Sequence, residues 1–178
     1  GRHGADVDSC RGDGAALAWL PQETILFDRA KLRRTVEIDL ADDARLLLAE
    51  TIVFGRSGMG ETVGECELSD RWRLRRGGRL VHAEALRLDG AAVAKLRRPA
   101  IANGGIAVAT VLLAPGDETS AVAVRVLEGQ FRGEVGVSVW KGLAVARLCA
   151  PDGAALRHDL VLVLTALRSA PLPRLWLN

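Results

Sequence analysis

Apolar and polar positions alternate through most of the chain. Leu32, Arg34, Val36, Ile38 and Leu40 fall on one face of an extended segment, and Arg33, Thr35, Glu37 and Asp39 on the other. This is the two-residue period of a half-buried strand. Arg34 is the one charge on the apolar face. Ala41-Asp42-Asp43-Ala44 reads as a turn, after which Arg45 to Phe54 returns as a strand. Its runs Leu46-Leu47-Leu48 and Ile52-Val53-Phe54 leave neither face fit for water, so this strand is predicted to be central.

Gly77-Gly78 separates two alternating runs, Asp70–Arg76 and Arg79–Leu88. Two glycines suit a two-residue hairpin turn, which needs positive φ. That register sets Trp72 against Ala83 and Leu74 against Val81 on one face, with Trp72 toward the core. On the other face it sets Arg71 against Glu84 and Arg73 against His82. Gly105–Leu113 and Gly142–Ala150 read as further strands. Glu118–Leu127 has two readings: Val122, Val124 and Val126 alternate as in a strand, yet Asp117 can cap a helix. Gly153–Arg168 is predicted to be helical, with Asp152 as N-cap and Pro171 as its stop. Leu156, Leu160, Val163, Leu164 and Leu167 make its buried stripe, while Arg157, Thr165 and Arg168 face out. A run of strands followed by one or two helices predicts a β-rich α+β fold.

With 178 residues, 49 % of them apolar and 26 % charged, the chain has enough material for a hydrophobic core. It shows no solenoid repeat or low-complexity linker, so residues 15–178 read as one domain. Residues 1–14 (GRHGADVDSCRGDG) are small and polar, read as a disordered or aberrant segment, and lack the apolar stretch of a signal peptide. The 24 basic and 22 acidic residues are interspersed. That balance argues against nucleic acid or an anionic membrane as partner. The most strongly apolar run, Leu160 to Leu164, is too short to span a bilayer. Three scattered cysteines, Cys10, Cys66 and Cys149, fit a reducing cytoplasm better than a disulfide scaffold.

Candidate chemistry is sparse. Phe54-Gly55-Arg56-Ser57-Gly58-Met59-Gly60-Glu61 is rich in glycine but has neither a dinucleotide-binding order nor a Gly-Lys-Ser/Thr ending. It reads as a tight loop leaving a central strand, or as a recognition loop offering Arg56, Met59 and Glu61. Glu61, Glu65 and Glu67 form an acidic stretch around Cys66. In a strand Glu65 and Glu67 share a face while Cys66 points away, so the stretch reads as a solvated edge or a transient divalent-ion contact. His3, His82 and His158 make no local metal cluster, and no G-x-S-x-G nucleophile elbow is present. The arginines around Trp72 are a weak signal for RNA, because alternation turns Trp72 inward.

Resemblance carries the reading further. Leu20-Pro21-Gln22-Glu23-Thr24-Ile25-Leu26-Phe27 and the segment Phe54 to Glu61 are similar to two recognisable stretches of UreD, also called UreH, a urease accessory protein family. The family pattern continues through Asp70-Arg71-Trp72, Gly78-Arg79-Leu80, Pro99, Ala109-Thr110, Gly136-Val137-Ser138, Arg147-Leu148 and Pro173-Arg174-Leu175-Trp176. These pieces stand in family order from about Ala16 to Trp176. The resemblance implies stacked, mainly antiparallel sheets with two helices, and so favours helix for Glu118–Leu127. It implies a non-enzymatic cytoplasmic scaffold that binds apo-urease and UreF, and through UreF recruits the GTPase UreG. Nickel would be transient cargo, with no permanently bound cofactor. Pro21, Gln22, Glu23, Thr24, Gly55, Arg56, Met59, Gly60 and Glu61 become candidates for partner contacts, and Glu61, Glu65 and Glu67 for weak nickel contacts. An internal nickel route is also implied, with no lining residues assigned. Family chains carry upstream strands and a Thr-x-Gln stretch that Gly1–Gly14 does not resemble, so the chain reads as a partial UreD-like domain. The alternatives are a β-rich interaction module with no metal connection and a hydrolase with a dispersed active site.

Overall fold

The computed structural model describes residues 14–55 and 63–176, so the expectation for residues 1–14 lies, Gly14 apart, outside the described residues. Strands β1 (Ala16–Trp19), β2 (Thr24–Leu26), β3 (Lys31–Leu40), β4 (Arg45–Phe54), β5 (Glu67–Arg76) and β6 (Arg79–Leu88) come first. Helix α1 (Ala92–Leu96), strand β7 (Ala107–Ala114) and helix α2 (Glu118–Arg125) follow. Strands β8 (Glu134–Trp140) and β9 (Leu143–Ala150) and helix α3 (Gly153–Leu167) complete the order. A six-stranded sheet runs β1-β4-β7-β9-β8, with β2 also beside β4, and a three-stranded sheet runs β3-β5-β6. The chain is β-rich, as the pattern predicted, with mixed, mostly antiparallel sheets, as the resemblance implied.

The strand with two apolar faces, β4, is central: β1 and β2 flank it on one side and β7 on the other. Strand β3 does not pair with it. The turn at Ala41–Ala44, closed by the Ala44 N–H donating to Ala41 O at 3.2 Å, carries the chain from one sheet to the other. Three layers result. On one face of the large sheet α2 and α3 bury Val124, Leu156, Leu160, Val163 and Leu164 against Leu47, Val53, Val111 and Leu148. On the other face the small sheet buries Val36, Ile38, Trp72 and Leu74 against Leu46, Leu48, Leu112 and Val145. A third apolar block, with Leu26, Ile52, Phe54, Cys66, Leu68 and Leu88, continues that interface further along.

The hairpin forms, with Gly77 and Gly78 at φ 53° and 75°, values that glycine adopts without strain. Its register departs from the prediction. Arg76 opposes Arg79 and Arg75 opposes Leu80 as expected, but an irregularity follows between Leu74 and Arg75. Val81 is the extra residue of a bulge, and beyond it Leu74 faces His82, Trp72 faces Glu84 and Arg71 faces Ala85. The predicted Arg71–Glu84 and Arg73–His82 pairs are therefore not neighbours. Slipping by one residue turns His82 and Glu84 inward. Trp72 is buried as predicted, at 6 % exposure.

Both helices predicted for the second half are present. The Asp117 carboxylate accepts from the Ser120 N–H at 2.9 Å, which settles α2 as a helix. Asp152 caps α3 through the Ala155 N–H at 2.8 Å. Leu156, Leu160, Val163 and Leu164 are fully buried, and Thr165 faces out. Helix α1 and strand β8 were not anticipated, although Val135, Val137 and Val139 alternate as strand residues do.

Candidate functional site

The alternation of β4 turns Leu46, Leu48, Glu50, Ile52 and Phe54 toward the small sheet, so one carboxylate enters the inter-sheet space between two apolar pairs. Cross-strand register extends it into a rank. Glu50 pairs with Thr110 of β7, Thr110 with Arg147 of β9, and Arg147 with Gly136 of β8. In the facing sheet Arg34 of β3 lies beside Asp70 of β5, and Asp70 beside Leu86 of β6. A charged layer thus separates the two inter-sheet apolar blocks.

Arg34, the charge on the apolar face of its strand, organises this layer. Its Nε donates to Asp70 Oδ1 at 3.1 Å and its Nη2 to Asp70 Oδ2 at 2.5 Å. Its Nη1 donates to Glu50 Oε2. The other Glu50 oxygen accepts from Trp19 Nε1 at 2.9 Å. The side chains of Arg34, Glu50 and Asp70 are 12 %, 7 % and 6 % exposed. Burial opposes the arginine's charge, yet the bonds and attraction from Asp70 and Glu50 outweigh it and hold its pKa above the ordinary value. Burial pushes Glu50 above the ordinary carboxylate range, against the pull of Arg34 and Trp19. Further across, Arg147 Nη2 donates to Glu84 Oε2 at 2.8 Å, and buried His82 brings its Nε2 within 3.5 Å of the same oxygen. The nearby His82 ring, opposed by burial and aided by Arg147, sets the Glu84 carboxyl below its usual range.

A hollow of about 30 Å³ touches Arg34, Glu50, Asp70 and Trp72, room for about one water. It shares Glu84, Leu86, Val108 and Thr110 with a groove of about 500 Å³ that opens toward Glu134, Arg147 and Cys149. The rank sets two guanidinium groups, Arg34 and Arg147, against three carboxylates, Glu50, Asp70 and Glu84, a small acidic excess. Among the described residues no three His, Cys, Asp or Glu side chains converge as a metal site would require.

The predicted partner residues around Glu23 lie elsewhere. Glu23 receives Arg157 Nε at 2.8 Å and Nη2 at 2.9 Å, a bidentate pair. Arg157 also donates to Gln22 Oε1 at 2.6 Å and to Leu175 O at 3.0 Å. Its guanidinium carbon lies 5.5 Å from the centre of the Trp176 ring, whose Nε1 donates to Leu20 O at 3.2 Å. Two motifs far apart in sequence, around Glu23 and around Trp176, are thereby tied through α3. Arg157, expected to face out, is half-buried and bonded because the segment before β2 folds back over the helix. Pro21, Glu23 and Thr24 are half-buried, and Gln22 is exposed. Gly55 is buried at φ 85° and its N–H donates to Leu26 O at 2.8 Å. Arg56, Met59, Gly60 and Glu61 lie outside the described residues.

Glu65 and Glu67 are exposed while Cys66 between them is 2 % exposed, the split that strand geometry requires. Glu67 accepts from Lys31 Nζ at 2.6 Å. Burial raises the thiol pKa of both Cys66 and Cys149, which lowers their thiolate fraction as metal ligands. Sequence reasoning missed Glu50 and Asp159, and named Thr110 only as part of a family motif. The Asp159 carboxylate is 1 % exposed and accepts from the Arg132 and Gly133 N–H groups, each at 2.8 Å. The signal for Glu50 was a carboxylate inside an otherwise apolar strand.

A family profile described as UreD urease accessory protein matches residues 7–177. A protein of Bradyrhizobium sp. named Urease accessory protein UreD 3 is 56 % identical over 97 % of this chain and 62 % of its own length. A Rhodopseudomonas palustris protein named Urease accessory protein UreD is 58 % identical over 93 % of this chain and 57 % of its own. One of the same name from Bradyrhizobium diazoefficiens is 56 % identical over 94 % and 60 %. The chain therefore spans about 60 % of the length of the curated relatives it matches.

Proposed function

Because the chain belongs to the UreD family of urease accessory proteins, we propose that it takes part in urease maturation in the cytoplasm, as a scaffold without turnover of its own. The observation that carries this reading is the family match over nearly the whole chain. Its partners are apo-urease and UreF, with the GTPase UreG recruited through UreF, and nickel passes as transient cargo. Two features of the fold fit. The knot of Gln22, Glu23, Arg157 and Trp176 fixes a surface built from distant family motifs. The charged rank leaves an acidic excess beside an open groove, and carboxylates that do not converge on one point would hold a divalent ion only weakly, as a conduit that must release its cargo requires.

Complementation tests the reading. Urease expressed with all its other accessory proteins is expected to gain activity when this chain is added, and no gain would overturn the proposal. The acidic segment has its own test. Glu61→Gln with Glu65→Gln is expected to lower activation while leaving capture of UreF intact. Nickel affinity of the unmodified chain, read by titration calorimetry, is expected to be no tighter than roughly micromolar, about −8 kcal/mol. Nanomolar binding, or full activation by the double variant, would remove Glu61 and Glu65 from the nickel path.

A further inference from the structure

The outer face of the small sheet has the opposite charge balance to the rank behind it. Register sets Arg33 of β3 beside Ser69 of β5, and Ser69 beside Arg87 of β6. Two residues along β5 comes Arg71, flanked by Thr35 and Ala85. Arg33, Thr35, Arg71, Ala85 and Arg87 are all exposed, so nothing covers this face among the described residues. Arg71 stands diagonal to both other arginines, at roughly 7–8 Å. Arg33 and Arg87 are two strand spacings apart, about 10 Å. The three ring a hollow of about 560 Å³ whose floor offers the Thr35 and Ser69 hydroxyls. The carboxylates at its rim are already engaged. Glu67 accepts from Lys31 Nζ at 2.6 Å, and Asp89 is held by Lys95, with Arg87 Nε at 3.5 Å. Arg73, next along β5, has Glu37 beside it in register. No hydrogen bond or ion pair engages the side chains of Arg33 or Arg71 among the described residues.

Like charges set this close on one sheet face repel, so the face gains when an anion is added. We propose that it docks an extended acidic segment of a partner protein, with alternate carboxylates paired to Arg71 and to Arg33 or Arg87. Same-side side chains of an extended chain repeat about every 7 Å, which matches the diagonal spacing of these arginines. A guanidinium takes a carboxylate through two parallel hydrogen bonds, and the two hydroxyls can donate to the same oxygens. Nucleic acid fits less well: Trp72 of β5 is buried on the other face, so no ring is offered to a base for stacking. A single inorganic oxyanion would fill only part of a hollow this size. The inference does not depend on the nickel reading, because the rank lies on the opposite face of the same sheet.

The test is fluorescence anisotropy of the full chain with a labelled Asp-Ser-Asp-Ser-Asp-Ser peptide. The peptide is expected to bind, and its Asn-Ser counterpart is not. Arg71→Gln is expected to weaken binding on the order of ten-fold, and Arg33→Gln with Arg87→Gln at least as much. Arg45→Gln, at an exposed arginine of the large sheet, is expected to leave it unaltered. Bound peptide is also expected to shield Arg33 and Arg71 from phenylglyoxal, read by mass spectrometry. The melting temperature of Arg71→Gln is expected to hold or rise, since a repulsion is relieved; a fall alongside the binding loss would give Arg71 a structural role and overturn the proposal. No peptide binding would overturn it, as would an equal loss in Arg45→Gln, the mark of bulk charge attraction. Tighter binding of a thymidine oligonucleotide of matched charge, or displacement of the peptide by an equal concentration of inorganic phosphate, would do the same.

Discussion

The two faces of the six-stranded sheet are packed by opposite means. Toward the helices, Leu47, Val53, Val111 and Leu148 meet Leu156, Leu160, Val163 and Leu164, and hydrophobic burial accounts for the contact. Toward the small sheet, similar leucines and valines are interrupted by a rank in which Arg34, Glu50 and Asp70 bind one another away from water. A buried ion cluster is a poor way to gain stability, because desolvation consumes most of the attraction. It does fix register, since a slip of β3 by one residue would turn Arg34 to solvent and leave Glu50 and Asp70 unpaired. The helix face thus accounts for stability, and the rank ties the two sheets in one alignment beside the groove.

Arg34→Met breaks this comparison most severely. It leaves two carboxylates buried with no cation, a loss on the order of 3–5 kcal/mol expected in denaturant unfolding. Arg34→Met with Glu50→Leu and Asp70→Leu is expected to recover most of that stability, because an apolar replacement of a whole buried cluster is often neutral or better. A triple variant as unstable as Arg34→Met would show that the cluster holds the sheets together energetically. On the helix face Leu160→Ala, at a position 0 % exposed, is expected to cost about 2–5 kcal/mol with no partner change able to restore it.

What the sequence disclosed divides along the same line. Strand β4 and helix α3 were legible because their patterns are local: apolar on two faces, or apolar at helical spacing behind an Asp cap. Arg34 was legible as an anomaly on its face, but its partners were not. Glu50 and Asp70 reach it through pairings between segments that no local period encodes. The hairpin register failed for a related reason: Val81 bulges because His82 and Glu84 meet Trp140 and Arg147, residues far along the chain. Arg157 was misplaced outward because the segment that covers it lies more than a hundred residues earlier.

Arg157→Leu gives an intermediate effect. It removes a bidentate pair, a contact with Gln22 and a cation–π contact while keeping the apolar stem, at a half-buried site open to solvent. A cost of about 1–2 kcal/mol is expected, together with faster proteolysis of the segment around Glu23. Unchanged proteolysis would mean that the Trp176 N–H and local packing hold that segment unaided.

The smallest effect distinguishes two carboxylates of the rank, Glu84 and Glu50, by the sign of their pH dependence. Glu84 titrates below its ordinary 4.5 in the folded chain, so the stability it contributes is complete above that pH and is lost as pH falls through the folded value. Glu50 titrates above 4.5, because burial favours its neutral form. The folded state then binds its proton more tightly than the unfolded state, and that contribution is present below 4.5 and fades as pH rises through the folded value. Urea unfolding from about pH 3 to pH 7 is therefore expected to give opposite slopes. The stability gap between the unmodified chain and Glu84→Gln shrinks as pH falls below about 4.5. The gap to Glu50→Gln moves in favour of the unmodified chain as pH falls toward that value. The Glu84 slope is expected to be shallow, since that side chain is 21 % exposed and screened by solvent. Parallel slopes for the two variants would show that Glu50 is fully ionised in the fold, with Arg34 and Trp19 outweighing its burial.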